Sequence, residues 1–156
     1  MKISDFLCPK AVSADLKGTT KKEIIEELVG LLVNPEAIDK KHKNKLIEIL
    51  LAREALGSTA IGQGIAIPHG KSDAVEELTA SIGISKKGIN FDSLDGEPAH
   101  IFFLLVAPID SAGPHLKALA RISRLLKDRF VRENLKAAKD EKSILKLISQ
   151  EDSRST

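Results

Sequence analysis

Between Lys21 and Val33 the apolar residues Ile24, Ile25, Leu28, Val29 and Leu32 recur at helical spacing, which predicts an amphipathic helix. Thr20 followed by Glu23 is a capping-box pattern at its start, and Asn34-Pro35 breaks it. A second helix is expected from Lys40 to Ala55, with Leu46, Ile47, Leu50 and Leu51 on its buried face and Gly57 at its end. The stretch from Gly57 to Gly64 is too rich in glycine for a regular helix. It leads into a short apolar strand, Ile65 to Ile67, which Pro68 is expected to end. Leu78, Ala80, Ile82 and Ile84 alternate with Thr79, Ser81, Gly83 and Ser85, the period of a strand with one buried face. Turn signals at Lys86-Lys87-Gly88 and Asp95-Gly96 flank a short strand around Ile89 to Phe91. From Ile101 to Val106 both parities are apolar, as in a central strand covered on both faces.

The C-terminal third reads as helical. Pro114 suits the first turn of a helix because its missing N–H costs nothing there, and His115 falls in the same turn. Leu116, Leu119, Ile122, Leu125 and Leu126 mark the helix body. A charged helical stretch from Asp128 to Ala138 and a last helix from Asp140 to Ile148 follow, and residues 151–156 read as a disordered tail. The expected architecture is α/β: a single-domain sandwich over residues 1–150, with a mixed β-sheet flanked by helices on both sides.

Composition narrows the function classes. Apolar residues are 42% of the 156-residue chain and charged residues 29%, the balance of a soluble globular domain with a sizeable core. Aromatic residues are only 3%, with no Trp or Tyr, so no stacking platform for bases or sugars is apparent. The net charge of +2, with basic and acidic residues interleaved, argues against nucleic acid as a partner. Cys8 is alone, so neither an internal disulfide nor a multi-cysteine metal site is possible. The N-terminus lacks the apolar core of a signal peptide, and the longest apolar run, Ile101 to Ala107, is too short to cross a bilayer. A cytoplasmic protein without direct membrane insertion is expected.

His69 is the leading candidate for chemistry. Imidazole is partly neutral near pH 7 and can act as a nucleophile without a base to deprotonate it. Pro68 fixes its origin and Gly70 leaves room beside it. From these residues alone, a histidine that merely caps a loop fits as well. Arg53 offers a planar fork for phosphate oxygens, or is simply a solvated residue at a helix end. Ser58 and Thr59 could donate hydroxyl or backbone hydrogen bonds to the same oxygens, or are plain turn residues. His115, near a helix N-terminus, is placed where an anion is favoured, or is a surface histidine. His42 lies in a basic run, His100 opens a buried strand, and Cys8 reads as an ordinary thiol.

The segment Arg53-Glu-Ala-Leu-Gly-Ser-Thr-Ala-Ile-Gly-Gln-Gly-Ile-Ala-Ile-Pro-His-Gly70 resembles the active-site signature of the type-2 IIA proteins of the bacterial phosphotransferase system. This is the fructose–mannitol family, which includes the nitrogen-regulatory IIA proteins. Glu54, Ile61, Gly62, Ile65, Ala66, Ile67, Pro68, His69 and Gly70 fit every specified position of its pattern. Pro114-His115-Leu-Lys-Ala-Leu-Ala120, the opening Ile3 to Leu7 and the segment from Gly88 to Gly96 also look like the family. The resemblance implies the family fold and a phosphocarrier cycle without metal or organic cofactor. His69 would accept a phosphoryl group on Nε2 from HPr or its nitrogen-branch relative, and pass it to a cysteine of a IIB domain. His115 would stabilise the phosphoryl group and Arg53, Ser58 and Thr59 would contact it.

Two rivals remain. In the first, phosphorylation regulates binding to a target protein, since a phosphoryl group adds enough negative charge to reverse a complementary interface. The second is a metal-dependent hydrolase using His69 and His115 with Asp73 or His100, although no HxH or HExxH spacing supports it. A nucleotide-binding loop is weaker still, because Ile67 stands at the third glycine position of a GxGxxG.

Overall fold

The structure, a computed structural model, describes residues 1–154. Strands β1 (Leu7–Ser13), β2 (Ala60–Gly62), β3 (Ile65–Ala66), β4 (His69–Lys71), β5 (Thr79–Ile89) and β6 (Ala99–Ala107) form one mixed sheet. Helices α1 (Lys21–Val33) and α2 (Lys43–Ala55) precede most of the strands, and α3 (Ala112–Lys127), α4 (Arg129–Lys136) and α5 (Glu141–Arg154) follow them. The path through the sheet is β1-β5-β6-β3-β2, with β4 also paired to β6. β5 and β6 are antiparallel, whereas β1 runs parallel to β5 and both β3 and β4 run parallel to β6.

The doubly apolar stretch is the centre of the molecule: every residue from Ile101 to Ala107 has 0% exposure. Side chains alternate across a strand, so β6 feeds two cores. Ile101, Phe103 and Leu105 join Ile82, Ile84, Ile122, Leu126, Leu135 and Ile144 on the α3–α5 side. Phe102, Leu104 and Val106 join Ile24, Leu28, Leu32, Leu46 and Leu50 on the α1–α2 side. Each large side chain so buried contributes roughly 1.5–3 kcal/mol relative to exposure, which makes this strand the main apolar anchor. The expected buried face of α1 is found residue for residue, and the Thr20 hydroxyl accepts from Glu23 N at 3.2 Å.

Several boundaries differ from the sequence reading. β1 was not expected, because Cys8, Pro9 and Lys10 interrupt its apolar pattern. As an edge strand it leaves Pro9 and Lys10 exposed, where a missing N–H does no harm. The turn at Lys86-Lys87-Gly88 is instead a continuation of β5 to Ile89, with a register shift against β6 between Ile84 and Ile89. Gly88 has φ 83°, and a Cβ there would come within 2.7 Å of the His100 ring, so the irregularity needs glycine on both grounds. His100, bonded through Nδ1 to Ser85 O at 2.9 Å, is structural as expected. The first turn assigned to α2, Lys40–His42, is a 3-10 turn.

The expected disordered tail is also corrected. α5 continues to Arg154 and buries Glu151 and Asp152; residues 155 and 156 of that tail lie outside the described residues. Asp152 accepts from Ile3 N at 2.9 Å and Ser4 N at 3.0 Å, and pairs with the buried Arg121 at 2.9 Å. One carboxylate thus ties α5 to the chain start and to α3. Its removal leaves a buried guanidinium unpaired, so Asp152→Ala should destabilise the fold by about 3–5 kcal/mol. Urea unfolding would measure this, and a loss well under about 1 kcal/mol would show that the clasp adds little.

Candidate functional site

Glycine in the segment before His69 serves a hairpin. β2 and β3 are joined by Gln63 and Gly64, whose φ values of 57° and 80° are those of a two-residue turn that matches strand twist. Gln63 N donates to Asp95 Oδ2 at 2.8 Å, and Gly64 O accepts from His100 N at 2.8 Å and Ile101 N at 2.9 Å. The hairpin is thereby docked on the start of β6. Ile65 and Ala66 then pair with Ile101 and Phe102.

Pro68 has no N–H to continue the ladder, but its carbonyl accepts from Leu105 N at 3.0 Å. Pairing therefore resumes, and His69 is the first residue of β4, opposite Leu105, rather than a loop residue beyond the sheet. Gly70 does not open an approach to the imidazole. A Cβ there would lie 3.3 Å from Ile49 and 3.5 Å from Leu50, so the missing side chain is what lets α2 pack closely.

The half-buried His69 ring is fixed by one bond, Nδ1 to Ile67 O at 2.7 Å. A carbonyl can only accept, so Nδ1 carries the hydrogen and Nε2 is left with its lone pair. His115 packs against this ring edge-on, with centroids 5.5 Å apart and planes at 85°. Because α3 begins just past the end of β6, His115 reaches the site from the helix start, 8% exposed, on the stripe that continues through Ala118, Ile122 and Leu125. Its Nε2 is buried and has no hydrogen-bond partner among the described residues. Burial, then the charges of His69 and Lys71, lower its pKa below the ordinary histidine value. Its charged form is thus disfavoured where it packs against the His69 ring.

The remaining candidates are distributed differently. Arg53 Nη1 donates to Gly57 O at 2.8 Å, where it closes the end of α2. The Ser58 hydroxyl donates to Phe91 O, and the buried Thr59 hydroxyl to Glu54 Oε1. Both hydroxyls are thus bonded within the protein, one to the residue segment after β5 and one to α2. The sequence reading missed what surrounds them. Glu54 is buried and pairs with Lys21 Nζ at 3.4 Å, which also reaches Asp92 at 3.0 Å. One signal was available: Glu54 follows Leu50 by four residues, which puts a carboxylate on the buried stripe of α2, where it needs partners. No three His, Cys, Asp or Glu side chains among the described residues converge to hold a metal ion, as the hydrolase reading would require. No helix there is long and apolar enough to cross a membrane.

Known proteins with this architecture are consistent in kind. The family model described as "Phosphoenolpyruvate-dependent sugar phosphotransferase system, EIIA 2" matches residues 5–151, and the chain belongs to that family. A nitrogen regulatory protein of Bradyrhizobium diazoefficiens is 38% identical over 149 residues, covering 96% of this chain and 95% of that protein. A fructose-specific EIIA component of Haloferax volcanii is 33% identical over 148 residues, covering 95% of each. The fructose-specific EIIABC component of Bacillus subtilis is 36% identical, but the match spans 97% of this chain and only 24% of that protein. The crystal structure of the nitrogen regulatory protein IIA-Ntr from Neisseria meningitidis superposes with a TM-score of 0.83 at 29% identity, covering 94% of this chain and 98% of that one. As a member of the EIIA family the protein is a component of phosphoryl transfer within the phosphotransferase system.

The burial of His115 has a consequence for stability. With its folded pKa below the unfolded one, the unfolded chain takes up the proton first as pH falls. Stability should therefore be full above the unfolded value of about 6.5 and decline as pH drops toward the folded value. His115→Gln should flatten that part of the profile in urea unfolding between pH 5 and pH 7. A His115 that titrates by NMR at or above the ordinary value would contradict the reading.

Proposed function

We propose that His69 is the phosphoryl acceptor of a IIA phosphocarrier, and the observation that carries this reading is the Nδ1 bond to the Ile67 carbonyl. Phosphoryl transfer asks the protein for positioning and charge stabilisation more than for covalent help. As the P–N bond to the donor's imidazole breaks, a new bond forms at His69 Nε2, whose lone pair the tautomer leaves available. The Nδ1 proton stays in place, and the positive charge that develops on the ring is stabilised by the Ile67 carbonyl dipole. In the second half of the cycle the P–N bond breaks in turn as a thiolate sulfur takes the phosphoryl group.

His115 is the proposed stabilising donor. Its neutral ring, buried Nε2 and place in the opening turns of α3 suit a hydrogen bond to a phosphoryl oxygen. Arg53 is the second proposed contact. Its bond to Gly57 O uses only part of a five-donor fork, which leaves N–H groups for phosphate. The donor is HPr or its nitrogen-branch relative, and the acceptor is a cysteine of a IIB domain, in the cytoplasm. The related reading, in which the phosphorylation state governs binding to a target protein, draws on the 38% identity to a protein named nitrogen regulatory. Onward passage of phosphate to a IIB cysteine, against its retention, separates the two.

Incubation with Enzyme I, HPr and phosphoenolpyruvate should add one acid-labile phosphoryl group by intact-mass analysis. His69→Ala should abolish it with the fold intact. His115→Ala should slow it by roughly 100–1,000-fold without removing the acceptor. Phosphorylation of the His69 variant on His115 would overturn the assignment.

A further inference from the structure

The bond that fixes the His69 tautomer is the last link of a continuous chain of interactions that begins on another helix. Lys21, at the start of α1, places Nζ 3.4 Å from Glu54 Oε2 on α2. Glu54 accepts from Thr59 twice, from the hydroxyl at Oε1 and from the backbone N at Oε2, 3.3 Å away. Thr59 O accepts from Ile67 N at 3.1 Å, and Ile67 O accepts from His69 Nδ1 at 2.7 Å. Both sides of residue 59 are thereby held, and with them the residue whose carbonyl orients the nucleophile. Lys21 is itself located from a third direction, by Asp92 at 3.0 Å and by the Phe91 ring 5.1 Å away.

From this continuity we infer that the Glu54–Lys21 pair positions the Ile67 carbonyl and so sets the tautomer of His69. The inference rests on the acceptor role proposed for His69, and Glu54 and Lys21 act in it as positioning residues only. The physical argument is one of connectivity in a poorly solvated place. The Glu54 side chain is 3% exposed, so its bonds to Thr59 are little weakened by water. Without the carboxylate, the Thr59 N–H and hydroxyl lose their acceptor and the 57–63 loop loses its hold on Ile67. The imidazole proton is then shared between the two ring nitrogens, and every molecule that carries it on Nε2 has the nucleophilic lone pair blocked. Through Lys21 and Asp92, α1 and the β5–β6 loop bear on the chemistry of the imidazole by this route.

The test uses the full chain and two readouts. Long-range 1H–15N NMR of the His69 ring reports which nitrogen carries the proton, independently of any phosphorylation. Single-turnover transfer from phospho-HPr reports the rate. Wild type should show the Nδ1–H pattern. Glu54→Ala should show a mixture and a rate lower by roughly tenfold or more, the scale of a misplaced reacting group. Glu54→Gln, which keeps an oxygen for the Thr59 hydroxyl, should restore most of both. Lys21→Met should give a smaller change in the same direction, and with Glu54→Gln it carries the test if the alanine variant does not fold. An unaltered Nδ1–H pattern and rate in folded variants that have merely lost thermal stability would overturn the inference. A redistributed tautomer in Glu54→Ala, with no transfer even to wild type, would uphold the relay while removing the phosphocarrier reading.

Discussion

β6 is buried on both faces and hydrogen-bonded along both edges, and the site exists because of how its second edge is used. A strand with Ile101, Phe103 and Leu105 on one side and Phe102, Leu104 and Val106 on the other needs a helical layer on each face. One edge is filled by β5, the ordinary antiparallel neighbour. The other is filled by the residues from Ile65 to Lys71, parallel to β6 and divided by Pro68 into β3 and β4. Pro68 has no N–H to give the ladder there, and the carbonyl of the residue before it, Ile67, accepts from His69 Nδ1 instead. His69 thus inherits the rigidity of the central strand while its ring stays partly open.

The electrostatics follow from the same placement. His115 descends from the helix that leaves β6, so it is buried against the sheet and its charged form is disfavoured. Two protonated imidazoles at a centroid separation of 5.5 Å would repel, whereas a neutral His115 leaves the His69 ring free to gain charge during transfer. A neutral ring can still donate one hydrogen bond, which is what an incoming phosphoryl oxygen needs. Burial thus disfavours the charged form of His115.

The elements with strong periodicity were legible in the sequence: the buried face of α1, the two-sided β6 and the body of α3 all follow from local pattern. His69 was legible because Pro68 and the glycines mark an irregular backbone, and the family signature runs through it. What was not legible depends on contacts far apart in the chain. β1 has a mixed pattern because only part of it is covered, and its pairing with β5 spans some seventy positions, Leu7 to Ala80. The end of α5 reads as a polar tail until Asp152 is seen to receive Ile3 N and Ser4 N. Nor does residue type alone show that the Ser58 and Thr59 hydroxyls bond to the Phe91 carbonyl and the Glu54 carboxylate.

Glu54 and Lys21 also raise the question of why a charged pair occupies a place where apolar residues would pack. Burying such a pair carries a desolvation penalty that its mutual attraction does not always offset, so stability alone is a weak reason for it. A Leu at residue 54 would extend the stripe of Leu46 and Leu50 without that penalty, yet it would give the Thr59 N–H and hydroxyl nothing to bond. Directional bonds fix an angle as well as a distance, and apolar packing fixes neither so closely. The Ile67 carbonyl must point at Nδ1 to within hydrogen-bond geometry, and Ile67 itself lies between β3 and β4, outside the residues paired to β6. A carboxylate with two fixed acceptors, held by a cation that is held in turn by Asp92, supplies the direction that the sheet does not. On the inference drawn above, the buried Glu54 carboxylate and the partly exposed Lys21 act as a geometric constraint on the Ile67 carbonyl.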